Sequence, residues 1–412
     1  MIDAAAKLAE TVVRRCPQTT ILATSREILK IEGEYVYRVP PLDVPPQDEE
    51  PGDIPGHSAV QLFIATTRAL HSDFSPNGEN LAVIAAICRR LDGIPLAIDL
   101  AATRVATLGL QQVAAGLDDR LEMLTGGRRT ALPRHQTLRA TLDWSYELLP
   151  EPERLVLRRL AAFVGDFTAA AASLVAAGGE IAASEVVLSL ANLVTKSLVT
   201  VEVGSVTAYY RLHETTRGYA LEKLAESGEF ELVARRHANY YRDLFDRAET
   251  ELETLPAPAW LARYGRHVGQ MRAALDWAFS PTGAAEVGVA LTVAAVPLWV
   301  HLSLMEECRS RVERALSSPA ESRDARRNMQ LYAALGAALF LTKGSCPETI
   351  AAWASVFEIA ESLDDVDYRL RALWGMFIES ITSRRYREAL ALAERFCTCA
   401  EKSADPADGP VG

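Results

Sequence analysis

Along most of the chain apolar residues return every three or four positions, the spacing of a helix with one buried face. The pattern predicts helices over Ala4–Arg15, Ser58–Leu70, Glu79–Leu91, Pro95–Ala106 and Leu110–Leu124. It continues over Gln136–Glu147, Pro152–Ala162, Thr168–Ala176 and Ser184–Lys196. Ser58 is placed to cap its helix, Asp92-Gly93 to stop the third helix, and Pro95 to open the fourth. Two short runs break the pattern early. Thr19–Thr24 (TTILAT) is apolar and β-branched, as a buried parallel strand is, and Tyr35–Val39 reads as a second strand. Pro40–Gly56, rich in proline and acid, reads as a linker. Farther on, Leu198–Val203 and Ala208–Leu212 flank Gly204-Ser205 as a hairpin, and helices followed by a hairpin make a winged helix.

After His213 the helical pattern resumes and begins to repeat. Residues 334–363 (beginning ALGAALF) are similar to 372–403 (beginning ALWGMFI), each a helix pair with small residues where the helices would cross. Stacked pairs of this kind make an α-solenoid, here broadly tetratricopeptide-like. The predicted fold is mainly α. It has a residual α/β piece at 1–50, a helical lid bundle at 57–126, a winged helix with its hairpin at 130–215, and a helical repeat region at 216–412. The apolar stretch Val287–Val300 is shorter than the roughly 20 residues a membrane span needs, and it reads as a buried helix. Residues 1–10 carry Asp3, Lys7 and Glu10 among alanines, so they do not read as a signal peptide.

Composition narrows the function. The chain has 412 residues, too many for one core, and a formal charge of −11, which argues against coating DNA or an anionic membrane by bulk charge. Its six cysteines include no C-x-x-C pair, so they read as reduced, mostly buried thiols of a cytoplasmic protein rather than as a zinc site.

No catalytic motif emerges. A P-loop needs glycines that wrap phosphate in backbone N–H groups, followed by Lys and Ser or Thr. Of the six lysines, only Lys196 and Lys402 precede a serine, and neither follows the required glycines. His213-Glu214 opens like a zinc-protease motif but lacks the second histidine, and no G-x-S-x-G elbow is present. The expectation is therefore that the chain is not an enzyme. Three weaker features remain. Arg26 follows the apolar run Thr19–Thr24, Gly93-Ile94-Pro95-Leu96-Ala97 joins two helices, and Tyr210-Arg211-Leu212-His213-Glu214 leads from a strand into a helix.

In this order the three are more specific than any is alone. The run ILATSREILKIEGEYVYRVPPL resembles the sensor strand of bacterial STAND-class regulatory ATPases, relatives of the NB-ARC switches. LDGIPLAIDLAA resembles their lid motif, LTGGRRTALPRHQTLRATLDWSYELL the entry into their winged helix, and RLHETTRGYALEKL the histidine motif that closes it. VGQMRAALDWAF resembles the start of their helical repeats. The resemblance implies ATP or ADP as the family's ligand. Arg26 would sense the terminal phosphate, Pro95 would pack near adenine, and His213 would hold the ADP-bound closed state. It also implies that the family's P-loop and magnesium-binding aspartate lie before residue 1, so this chain alone is expected to bind no cofactor well.

The candidate recognition helix Ser184–Lys196 offers Asn192 and Lys196 against an acidic Glu185 and an otherwise apolar surface. Readers of base edges present Arg, Lys, Asn or Gln there, so DNA binding is possible but not favoured. The expected role is the sensor and relay part of a STAND-type transcriptional regulator whose repeats bind a protein partner or small ligand. A DNA-binding winged-helix regulator is the alternative. An ATPase would require a P-loop segment from elsewhere. No membrane contact is expected, and the oligomeric state is left open.

Overall fold

The computed structural model describes residues 2–16, 18–25, 28–37, 39–71, 74–116, 138–204, 207–252, 254–319 and 324–401. The chain divides into two compact units, Met1–Phe230 and Glu231–Gly412. The described residues are mainly helical with one small sheet.

The first unit opens with helix α1 (Ile2–Arg15). The strands expected at 19–24 and 35–39 are not formed among the described residues. Leu22 is 95% exposed and Tyr35 90%, and Tyr37 and Val39 also face solvent. A parallel strand needs ladder partners on its edges, and none of the described residues lies beside this run to supply them. Of the piece expected at 1–50, the helix is present and the two strands are not, among the described residues.

The lid bundle follows closely as read: α2 (Ser58–Leu70), α3 (Gly78–Arg90), α4 (Pro95–Leu108) and α5 (Leu110–Gly116), with the expected continuation to 124 outside the described residues. Phe63, Ile84, Ile87, Leu91, Ile98 and Ala101 form its buried centre. Ser58 does not cap α2. Its hydroxyl instead accepts the Asp43 N–H at 2.8 Å, and Ala59 N–H donates to Asp43 O at 3.0 Å. Arg89 donates to the carbonyls of Pro45 and Pro46, while Leu42 and Val44 pack on the bundle core. The proline-rich stretch read as a linker is thus a strap laid over the lid.

The winged helix comprises α6 (Leu138–Glu147), α7 (Glu151–Leu160), α8 (Ala169–Ala176), α9 (Ala183–Thr195), strands β2 (Thr200–Val203) and β3 (Ala208–Arg211), and α10 (Glu214–Glu226). A third strand, β1 (Phe167–Thr168), pairs antiparallel with β3 in the order β1-β3-β2. Two residues give too short a pattern to read from sequence. Phe167 stacks on Phe163 with centroids 4.5 Å apart, and Thr168 caps α8 through the Ala171 N–H.

The second unit contains α11 (Phe230–Glu251), α12 (Ala257–Tyr264), α13 (Val268–Ala278), α14 (Ala285–His301) and α15 (Met305–Leu316). The repeat follows as α16 (Ala325–Lys343), α17 (Pro347–Ser362), α18 (Val366–Thr382) and α19 (Tyr386–Ala400). Successive helices from α15 to α19 pack side by side as the repeat predicts. Helix α14 holds the apolar stretch with Leu291, Leu298 and Trp299 buried. No helix among the described residues is long and apolar enough to cross a membrane.

Candidate functional site at the junction of lid and winged helix

Two of the sequence motifs meet inside the first unit. Helix α3 ends in a left-handed turn at Asp92 (φ 51°) and Gly93 (φ 65°). Gly93 O accepts the Leu42 N–H at 2.9 Å, and a Cβ at Gly93 would lie 2.1 Å from Leu42 O, so only glycine fits beneath the strap. The turn aims Asp92 at the winged helix. Its Oδ2 accepts the Glu214 backbone N–H at 2.6 Å, and its Oδ1 lies 3.9 Å from an Arg211 guanidinium nitrogen. Burial pushes the Asp92 carboxyl up from the usual carboxylate range, against the pull of His213, of the Glu214 N–H and of Arg211.

The contact resembles a helix cap donated from another domain. His213 is the N-cap of α10, and its side chain makes no capping hydrogen bond. The first N–H groups of any helix lack intrahelical acceptors and carry partial positive charge. Asp92 supplies both the acceptor and the negative charge. Beside it, Leu142 on α6 and Tyr219 on α10 are buried in the lid core, with Tyr146 packed against them. Tyr219 OH donates to Asp143 Oδ1 at 2.8 Å. Arg217 Nε donates to Phe163 O at 2.7 Å and fastens α10 to the body of the winged helix.

The sequence-predicted residues fall as follows. His213 and Pro95 belong to the two segments that the junction joins, His213 at the start of α10 and Pro95 in the first turn of α4. Arg26 lies outside the described residues. Where a nucleotide phosphate would need to face His213 and the α10 N-terminus, Asp92 already presents a carboxylate, and the described residues supply no phosphate cradle. By themselves they do not fit a nucleotide. Asp92 was missed as a functional residue because Asp-Gly at a helix end is fully explained as a stop signal, and its partner is over a hundred residues away.

The candidate recognition helix of the winged helix is α9. Both of its base-reading candidates are taken by one buried acid. Asn192 Nδ2 donates to Glu153 Oε1 at 3.1 Å and Lys196 Nζ to Glu153 Oε2 at 2.7 Å, with Glu153 only 5% exposed. The outward positions are Ala183, Ser184, Glu185, Val187, Leu188, Ala191 and Thr195. The basic Arg158 and Arg159 of α7 are engaged as well. Both pair with Glu229, and Arg159 also donates to the carbonyls of Ala176 and Gly178.

In the second unit a groove of about 460 Å³ between α13 and α15 is lined by Arg272, Asp276, Glu307, Ser310, Arg311 and Arg314. Arg272 is paired with Glu307, Arg311 with Asp276, and Arg314 donates to Phe279 O. Cys88 and Cys308 are buried, and burial raises both thiols to about 12. Cys16 and Cys397 are exposed, contrary to the expectation of mostly buried thiols. Among the described residues no three His, Cys, Asp or Glu side chains are grouped to hold a metal ion.

Residues 149–225 match the model of the winged helix-turn-helix domain. This chain carries a winged helix-turn-helix domain. Over 283 residues it is 42% identical to a Mycobacterium tuberculosis (strain H37Rv) protein named "Putative HTH-type transcriptional regulator", covering 65% of this chain and 31% of that one. Over 243 residues it is 40% identical to an uncharacterized protein of the same strain, covering 59% of each. The chain thus spans about a third of the length of the first relative. A solved structure, a STAND protein with a tetratricopeptide repeat sensor from Pyrococcus horikoshii, matches 85% of this chain and 48% of its own at 14% identity, with a TM-score of 0.36. The chain is thus similar to a relative named as an HTH-type transcriptional regulator, and its winged helix is the part that matches a domain model.

Proposed function

We propose that this chain is the sensor and relay part of a transcriptional regulator, in which the winged helix works as an internal clamp on the lid. In this reading the helical repeats bind a protein partner or small ligand, the chain acts in the cytoplasm, and it is not itself an enzyme. The observation that carries the clamp is the state of α9. Its two polar readers are tied to Glu153, and its outward face holds no cation. Non-specific DNA affinity comes from cations set against phosphates, and specific affinity from side chains free to reach base edges. The described part of α9 offers neither.

The test is a fluorescence-anisotropy titration of labelled duplex DNA with the full chain at micromolar protein and two salt concentrations. The expected result is no salt-sensitive rise in anisotropy. Binding that weakens as salt increases, and is lost on Lys196→Glu, would replace the clamp with the second reading, a DNA-binding winged-helix regulator. That reading is favoured by the name of the matching domain model.

A further inference from the structure

The geometry points to Asp92 as an interdomain latch: its carboxylate caps the helix that begins the last segment of the winged helix, and losing that cap frees the lid from the clamp. This rests on the clamp reading above and names the residue that governs it. Three features of the contact carry it.

The first is polarity. The lid and the winged helix also meet through Leu142, Tyr146 and Tyr219, an apolar contact without strong directionality. The hydrogen bond from Glu214 N–H to Asp92 Oδ2 at 2.6 Å fixes one register of the two domains. The second is dependence. His213, the N-cap residue of α10, makes no side-chain capping bond, and the lid supplies one through Asp92. The third is mutual cost. Separation would break the Glu214 N–H bond and pull Asp92 away from Arg211 and His213 together, so the three interactions are made or lost as a set. Both sides are rigidly set. Gly93, pinned under Leu42 O, fixes the direction of Asp92, and Arg217 on Phe163 O fixes that of α10. A contact built from two rigid mounts is suited to a two-state device.

The experiment uses the full chain and two substitutions that each remove one half of the contact. Asp92→Gly deletes the carboxylate at a left-handed position where glycine is unstrained. Glu214→Pro deletes the donor at the first helical position, where proline is well tolerated. Amide hydrogen exchange is the readout. Each variant is expected to speed exchange at least about tenfold in the α3–α4 turn, in the first turn of α10 and along α6. Helix α6 is the decisive probe. Asp92 bonds α10, while Leu142 and Tyr146 dock α6 on the lid, so a merely local loss of a cap leaves α6 unchanged. The double variant is expected to match either single one. The proposal is overturned if α6 keeps wild-type exchange, if the two effects add fully, or if α7 and α9 accelerate as much as α6, which would mean general destabilisation. An unchanged α6 with no DNA binding sinks the latch and leaves the clamp. DNA binding by the wild-type chain sinks the clamp whatever the exchange data show.

Discussion

At the residue scale, the second unit holds a group of buried polar rings whose chemistry sets a pH limit. His237 Nε2 lies 2.9 Å from Gln270 Oε1, and both residues are buried. Tyr241 packs between His237 and His267, with ring centroids 4.8 Å and 5.7 Å away. Among the described residues the Tyr241 hydroxyl and His267 Nδ1 have no hydrogen-bond partner. Burial, helped by the charge of Arg266, lowers the His267 imidazole from 6.5 to about 4. The folded form therefore resists a proton that the unfolded chain accepts more readily. The stabilisation is complete above pH 6.5 and is lost as pH falls toward about 4. Urea unfolding of the full chain across that range should show the midpoint of the second unit falling with pH. His267→Phe should flatten the decline, and an identical slope in the variant would refute the assignment. Reading this from sequence was not feasible. Seven histidines are scattered along the chain, and only packing decides which one is desolvated.

At the scale of elements, the repeat was legible and the reason for its period was not. Gly336 on α16 and Gly375 on α18 flank Trp353 on α17. A Cβ would approach the indole within 2.7 Å at Gly336 and within 2.4 Å at Gly375. The ring is flanked by backbone on both of these sides, so it must shift if either glycine gains a side chain. Replacing Gly375 by alanine gains about 1 kcal/mol of helix propensity. Overpacking a filled crossing costs about 1–3 kcal/mol. Gly375→Ala is thus expected to destabilise the second unit by up to about 2 kcal/mol in a denaturant titration. In a Trp353→Leu background the same change should become neutral or stabilising. If the sign does not depend on residue 353, the indole is not the cause. The similarity of ALGAALF to ALWGMFI predicted small residues at helix crossings. That a single tryptophan packs against both of these glycines emerges only when three helices are stacked. The winged helix gives the same lesson in reverse. Its helices and hairpin followed from apolar period and turn residues, while β1 needed β3 as a partner to be a strand at all.

For the whole molecule, each unit has its own buried core, and the relay proposal concerns how a signal reaches the lid junction. If the chain is a relay and not a motor, phosphate release from ATP by the purified full chain should stay at background in a malachite-green assay. Turnover abolished by Arg26→Ala would overturn that expectation and restore the sensor role implied by the resemblance. The charge of −11 fits a protein that recognises partners by local surface rather than by coating a polyanion.

The sequence by itself determined most of the helices, the stop at Asp92-Gly93 and the start at Pro95, the hairpin and the repeat, because each depends on residues a few positions apart. It also selected the lid and histidine motifs as belonging together. Tertiary structure alone decided three things. It left 19–24 and 35–39 without a sheet, since a strand exists only through its neighbours. It turned a proline-rich linker into a strap over the lid, since Ser58 and Arg89 bond its backbone. It made Asp92 the cap of a helix more than a hundred residues away, and a hydrogen bond of that span leaves no mark in local sequence.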